Sequence, residues 1–364
     1  MAETAPILVV GPAWVGDMVM AQSLFMTLKA REPERPIDVL APGWSLPLIA
    51  RMPEVRAGIE MPLGHGEFGW AQRRRLGVAL RRAAYGQAIV LPRSFKSALV
   101  PWFARIPRRT GYRGELRFGL LNDIRPLDPS ILTQTVQRFV ALGQDPGAAL
   151  PPPIPFPRLR TDLAHQQALA ATLGLEEDLS QPCIGLMPGA EYGPAKQWTA
   201  FGELAQRLTA QGARVWVFGS VKEAALGEAI VRQAGAGARN LCGRTALADA
   251  VDLIGLCRIA VSNDSGLMHV AAAVGVPLVA IYGSSTPDYT PPLTDRAEIL
   301  WRRLPCSPCF ERSCPLGHTD CLRGIPAAQV QDVVARLLAD QAASPDCWRA
   351  GFERGSQPQL PHQG

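Results

Sequence analysis

The residues with the most chemical potential lie between 262 and 282, Ser-Asn-Asp-Ser-Gly-Leu-Met-His-Val-Ala-Ala-Ala-Val-Gly-Val-Pro-Leu-Val-Ala-Ile-Tyr. Arg258 to Ser262 is short and apolar, as a buried parallel strand should be, and Asn263 to Gly266 is turn and helix-cap chemistry. Small residues then predict a helix that Gly275 and Pro277 stop, before a second strand over 278–282. This order gathers the unpaired backbone N–H groups of Ser265, Gly266, Leu267 and Met268 at one point, where the helix dipole also favours negative charge. The chemistry it predicts is phosphate binding; the alternative is an ordinary structural βαβ turn. From Ser265 to Pro287 there is no formal charge, but Gly266, Gly275, Pro277 and Gly283 break the run, so a membrane span is rejected.

Three further sites carry reactive side chains. Gly11 to Asp17 is a turn leading into a helix, yet it lacks the Gly-x-Gly-x-x-Gly dinucleotide pattern, and an acid at the helix start would repel a pyrophosphate. Asp17 is therefore read either as a helix cap or as a general base at the mouth of a parallel sheet. Of only four lysines, Lys29, Lys96, Lys196 and Lys222, two stand inside turn motifs. Lys96 follows Arg93 and Ser94 at the carboxyl end of a strand, where open α/β sheets bind ligands, and Lys196 closes the run from Pro188. The third site is Cys306-x2-Cys309-x4-Cys314-x6-Cys321 with His318 inside it. In a cytoplasmic protein that spacing suggests a structural metal before disulfides, the alternatives being reduced thiols in a loop or an adventitious disulfide.

The elements needed to position these groups alternate along the chain. Strands are predicted at 7–10, 37–41, 87–91, 183–187 and 214–218, with helices at 18–31, 46–51, 70–84, 199–211, 246–257 and 329–342. Repeated strand, loop and helix imply parallel sheets with helices on both faces and ligands at the strand carboxyl ends. A proline-rich stretch over 146–160 reads as a linker. The expected division is a first Rossmann-like unit at 1–160, a second at 161–342, and a frayed tail at 343–364.

With 364 residues, 47% hydrophobic and 19% charged, the chain is globular rather than disordered. No basic n-region precedes the first apolar stretch, so a cytoplasmic location without a signal peptide is expected. Between Arg51 and Arg125 fifteen Lys or Arg stand against five Asp or Glu, although the whole chain is only +5. That positive stretch suits an anionic glycolipid, a membrane surface or nucleic acid; the absence of an RNA-binding aromatic signature or zinc-finger spacing makes nucleic acid the least favoured.

Four of these stretches, in this order, resemble the ADP-heptose:lipopolysaccharide heptosyltransferases of the GT-B fold: Gly-Pro-Ala-Trp-Val-Gly-Asp-Met (11–18), Ser-Phe-Lys-Ser-Ala (94–98), Pro-Gly-Ala-Glu-Tyr-Gly-Pro-Ala-Lys-Gln-Trp (188–198) and Asn-Asp-Ser-Gly-Leu-Met-His-Val-Ala-Ala-Ala (263–273). The tryptophan before Gly16-Asp17 and the Gly-Pro-Ala-Lys run are most similar to the branch that adds the second heptose. The resemblance implies two Rossmann-like domains across a cleft and inverting transfer of L-glycero-D-manno-heptose from its ADP donor to heptosyl-Kdo2-lipid A. It implies no cofactor and no required metal, and it places the enzyme peripherally at the inner face of the cytoplasmic membrane. It makes Asp17 the base and gives Lys196 the departing diphosphate, with Glu191, Asp264 and His269 on the donor. Glu223 is a candidate ribose ligand or a helix-start carboxylate, and Thr245 a candidate on the adenine side. Arg93, Ser94, Lys96 and Arg113 would hold the anionic acceptor. The rival readings are a GT-B sugar-nucleotide epimerase and a non-enzymatic nucleotide- or lipopolysaccharide-binding adaptor.

Overall fold

The computed structural model describes residues 5–64, 66–150 and 153–343. The first half contains strands β1 (Ile7–Val10), β2 (Ile37–Pro42), β3 (Ala57–Met61), β4 (Gln87–Val90), β5 (Arg108–Tyr112) and β6 (Asp123–Arg125). Its helices are α1 (Val15–Arg31), α2 (Leu46–Ile49), α3 (Trp70–Leu80), α4 (Leu99–Phe103) and α5 (Thr135–Leu142). The second half opens on α6 (Leu163–Leu173) and holds β7 (Cys183–Met187), β8 (Arg214–Val217), β9 (Ala238–Asn240), β10 (Ile259–Asn263), β11 (Leu278–Tyr282) and β12 (Ala297–Trp301). Helices α7 (Phe201–Ala210), α8 (Ala224–Ala234), α9 (Leu247–Leu256) and α10 (Gly266–Ala273) alternate with those strands, and α11 (Asp320–Arg323) and α12 (Ala327–Ala343) follow.

Each half is one six-stranded sheet, ordered β3-β2-β1-β4-β5-β6 and β12-β11-β10-β7-β8-β9. Every strand pairing is parallel. In both sheets the first strand of the half lies beside the fourth, so the strand order reverses between β1 and β4 and again between β7 and β10. Parallel sheets open a crevice at such a reversal, because the loops leaving the two strands depart in opposite directions.

Side-chain alternation divides the core. Along β1, Ile7 and Val9 face one way and join α1 and α5, while Leu8 and Val10 face the other side, where Val100 and Ala104 pack. In the second sheet Trp216, Ala260, Ala280 and Tyr282 face the same shared cluster as Ile7 and Val9, and Val215, Val217, Val261 and Ile281 face away. One face of each sheet, with α1 and α10, thus buries into a single apolar body. This layering follows from strands that are hydrophobic on both sides, each needing cover.

The expected strands and helices stand within a few residues of their expected places, and β5, β6, β9, β12, α4, α5, α6 and α11 are additional. The basic residues Arg108 and Arg109 stand on strand β5. The proline-rich segment is stitched down: Ser23 Oγ donates to Pro155 O at 2.7 Å, Gln22 exchanges bonds with Arg158 at 2.7 and 3.0 Å, and Leu159 N donates to Ala273 O at 3.0 Å. Beyond residue 343 the expected tail lies outside the described residues. Among the described residues no helix is long and apolar enough to cross a membrane.

Asp252, on α9 and fully buried, ties the halves together. It accepts from Arg51 of the first half, from His165 Nδ1 at 2.7 Å and from Asp162 N at 2.8 Å. Truncating a buried carboxylate leaves an uncompensated guanidinium, so Asp252→Ala is expected to cost roughly 3–5 kcal/mol in equilibrium denaturation. A cost below about 1 kcal/mol would remove this tie from the account.

Candidate active site

Four turns leave the four strands at the two reversal points. Asp17 follows β1, the Pro92 to Ser97 turn follows β4, Lys196 follows β7, and Asp264 follows β10. At the junction the starts of α1 and α10 touch. A Cβ on Gly16 would stand 2.6 Å from His269 Cδ2, and one on Gly266 would stand 2.7 Å from Val15 Cβ. The cleft expected between the halves therefore has a closed floor here, built by two glycines that let two helix N-termini approach. No side chain caps α10, so the first-turn amides of Gly266, Leu267 and Met268 keep their hydrogen-bonding capacity.

Lys196 Nζ bonds Asp264 Oδ2 at 2.5 Å, and Ser285 Oγ donates to the same carboxylate oxygen. The ammonium also stands 5.1 Å from the centre of the Tyr192 ring. One of its three donors is thus fixed and the others remain for an anion. No hydrogen bond engages the partly buried Asp17 carboxylate among the described residues. Burial pushes its carboxyl up to about 6, against the pull of the Lys196 ammonium and with repulsion from Asp264. His269 is buried against Gly16, and loss of solvent pushes its imidazole down to about 4, so it is neutral at pH 7. The Asp17 carboxyl thus titrates a little below neutral pH, with the Lys196 cation near it.

Other expected donor-side residues stand at the carboxyl ends of the same sheet. Glu191 pairs with Lys222 at 2.6 Å across the β7 and β8 loops. Glu223 completes a capping box, its Oε2 accepting from Ser220 N at 2.7 Å and Oγ at 2.6 Å while the carboxylate lies against Gly189. The helix-start alternative thus describes its present bonds. Thr245 makes only a long contact to Leu241 O, at 3.5 Å. Ser265 Oγ lies 3.3 Å from Ser262 Oγ. The Met268 side chain is fully buried, with its sulfur 3.6 Å from the Tyr282 hydroxyl, so the expected role of this residue rests on its backbone amide.

On the other side, Lys96 Nζ donates to Glu67 O at 3.1 Å, and Arg113 stacks 6.0 Å from the centre of the Phe118 ring. The Arg93 and Ser94 carbonyls are engaged, Arg93 O accepting from Glu115 N at 3.1 Å and Ser94 O from Ser97 Oγ at 2.6 Å. Arg108 and Arg109, counted with the positive charge, are largely engaged: Arg108 pairs with Asp123 at 3.2 Å, and Arg109 donates to Leu120 O at 2.6 Å and Ile106 O at 2.5 Å.

Three residues that composition and spacing did not single out organise the site. Asn263 is fully buried, accepts from Trp198 N at 3.0 Å and donates to Pro188 O at 2.7 Å, and so fixes the Lys196 loop to β10. Its place in the Asn-Asp-Ser-Gly turn was the available signal. Ser285 holds Asp264 from the β11 loop. Arg117, 2% exposed, donates to Pro92 O at 2.7 Å, Ser97 Oγ at 3.2 Å and Tyr112 O. Burial pushes its guanidinium down to about 10, still charged at pH 7. Nothing distinguishes it in sequence from fourteen neighbouring cations.

Cys306, Cys309, Cys314 and Cys321 line one small cavity with His318. All four are free thiols, and among the described residues no group of three or more His, Cys, Asp or Glu side chains is arranged to hold a metal ion. The segment braces the lysine instead. Arg312 O accepts from Ala195 N at 3.0 Å, Tyr192 Oη donates to Phe310 O at 2.5 Å, and Phe310 N donates to Ser284 O at 2.7 Å.

The family comparison agrees with this geometry. Residues 73–320 match glycosyltransferase family 9 (heptosyltransferase), and the chain belongs to that family; it is a glycosyltransferase. Lipopolysaccharide heptosyltransferase 2 of Salmonella typhimurium is 50% identical over 305 residues, 81% of this chain and 87% of the relative. Lipooligosaccharide heptosyltransferase 2 of Haemophilus influenzae is 48% identical, again over 81% of this chain and 88% of its own. The solved structure of Escherichia coli ADP-heptose lps heptosyltransferase II matches with a TM-score of 0.82 at 44% identity, covering 93% of this chain and 99% of that one.

Because Asp17 is held above its ordinary range by burial, its ionised form opposes folding at neutral pH. Asp17→Asn is expected to fold with a melting temperature a few degrees above the wild type at pH 7.5. An unchanged or lower value would show that Asp17 is not desolvated.

Proposed function

We propose that the protein transfers L-glycero-D-manno-heptose from ADP-L-glycero-D-manno-heptose onto heptose I of heptosyl-Kdo2-lipid A, with inversion, as heptosyltransferase II does. The observation that carries the reading is the free Asp17 carboxylate, opposed by the Lys196–Asp264 pair and the uncapped start of α10 at the two strand reversals. Three requirements of such a transfer meet there: a base for the acceptor hydroxyl, positive charge for a departing diphosphate, and exclusion of water.

Each residue takes a role in this reading. The acceptor hydroxyl loses its proton to Asp17 as its oxygen bonds the anomeric carbon, and the bond from that carbon to the diphosphate oxygen breaks on the opposite face. The α10 amides and the unpaired donors of Lys196 take up the negative charge that accumulates on ADP, work that a metal ion does in other transferases. Asp264 is a positioning residue, holding the ammonium at the helix end. Glu191, Glu223 and Thr245 line the nucleoside side; Arg93, Ser94, Lys96 and Arg113 receive the acceptor. The first unit, 1–160, is the acceptor half and the second, 161–342, the donor half. Because the acceptor is a lipid, the enzyme works peripherally at the inner face of the cytoplasmic membrane.

Release of ADP from ADP-heptose in EDTA should depend on the heptose-I-terminated acceptor. Asp17→Asn should lose about 10²–10⁴-fold in kcat while still binding donor, and Lys196→Ala should weaken ADP-sugar binding, turnover or both. Wild-type kinetics in either variant would remove that residue's role. The base is active only when ionised, so kcat/KM should fall tenfold per pH unit as the pH drops below about 6 and level off above about 7. A flat profile between pH 5 and 7 would exclude Asp17.

A further inference from the structure

Around the turn after β4, exposed apolar side chains gather to an extent that folding does not require. Trp70 is 46% exposed, Phe68 48%, Trp102 41%, Leu116 79% and Phe118 63%. They form one neighbourhood. Phe68 stacks on Phe95 of the turn at 6.4 Å and on Trp70 at 6.2 Å, Trp70 meets Phe103 edge-on at 5.0 Å, and Trp102 meets Phe103 at 4.9 Å. The segment carrying Leu116 and Phe118 is tied to the same turn, since Phe95 N donates to Glu115 Oε2 at 2.6 Å and the buried Arg117 donates to Pro92 O at 2.7 Å.

The cations beside these rings are unspent. Arg74 and Arg75 are exposed on α3 and Arg105 follows α4, and none of the three forms an ion pair among the described residues. Buried arginines of the same stretch, Arg73 and Arg117, are by contrast occupied with backbone carbonyls. Exposed apolar rings and a leucine on and beside the elements that carry exposed guanidinium groups suit the boundary between lipid headgroups and acyl chains: rings bury their faces there and arginines meet anionic phosphates. A nucleic acid would not use Leu116, the most exposed of the set.

The geometry points to this face, formed by the 66–70 loop, the outer sides of α3 and α4 and the 113–118 loop, as the surface that docks the enzyme on an anionic phospholipid bilayer. The inference rests on reading the Pro92 to Ser97 turn as the acceptor side. Docking here sets that turn against the bilayer and brings a lipid-borne acceptor to the site by sliding in two dimensions. The patch engages bulk phospholipid and does not need the acceptor's own acyl chains.

The test is flotation of the full-length protein with vesicles of phosphatidylethanolamine and phosphatidylglycerol that contain no glycolipid, against vesicles of phosphatidylcholine alone. Binding is expected to the anionic vesicles only and to weaken with added salt. Trp102→Ser/Leu116→Ser and Arg74→Glu/Arg75→Glu should each lower it at least tenfold, with melting temperatures near the wild type and unchanged turnover of a delipidated, soluble acceptor. Wild-type protein that ignores glycolipid-free vesicles and floats only when the glycolipid acceptor is present would overturn the inference and give the patch to the acceptor's acyl chains. Wild-type binding by both variants would also overturn it. Failure of wild-type enzyme to turn over the soluble acceptor would count against the transferase reading and leave the vesicle result standing.

Discussion

Two helices begin at the same point in space, and much of the site depends on that contact. The starts of α1 and α10 come from different sheets, and only the missing side chains of Gly16 and Gly266 allow their backbones so close. Each N-terminus carries partial positive charge from its unpaired amides. Bringing two together with Lys196 nearby creates a small electropositive region whose natural complement is an anion. Asp17 supplies one negative charge at the rim, and ADP would supply the rest.

The electrostatics of this region are set by burial as much as by partners. Asp17 lies near a cation and at a helix start, both of which favour its ionised form, yet its carboxyl is pushed up to about 6 because desolvation outweighs them. His269 responds to the same burial in the opposite direction and stays neutral. The Lys196–Asp264 pair is costly to bury. It is kept in register by Ser285 from one loop, by Asn263 from the strand end, and by the 306–312 segment behind the lysine turn. The cysteine-bearing segment thus acts on the site through its backbone.

Arginine serves two purposes in the basic first half. Arg117 and Arg109 fold loops by bonding carbonyls, and Arg125 bonds Asp123 at 2.6 Å, which holds that carboxyl down to about 2. Arg74, Arg75 and Arg105 stay in solvent beside exposed rings. The net charge of the stretch therefore overstates the charge offered to an acceptor and says nothing of where the remainder points.

The sequence by itself determined the alternation of buried strands and helices, the parallel sheets that follow, and the turns bearing Asp17, Lys96, Lys196 and Asp264, because apolar period and turn chemistry are local properties. Its motif order also sufficed for the family. Short strands such as β6, three residues long, and β9 have too few side chains for a period to show, and α6 sits behind a proline-rich run that masked its start. Tertiary structure alone decided that Asp17 would be left without a hydrogen bond among the described residues while Lys196 acquired Asp264, 68 residues away. It also decided that Arg117 would be buried and Arg74 exposed, and that four cysteines spaced along 306–321 would line one small cavity. Spacing along a chain limits which groups can meet; burial and direction arise only when two sheets close on one shared core.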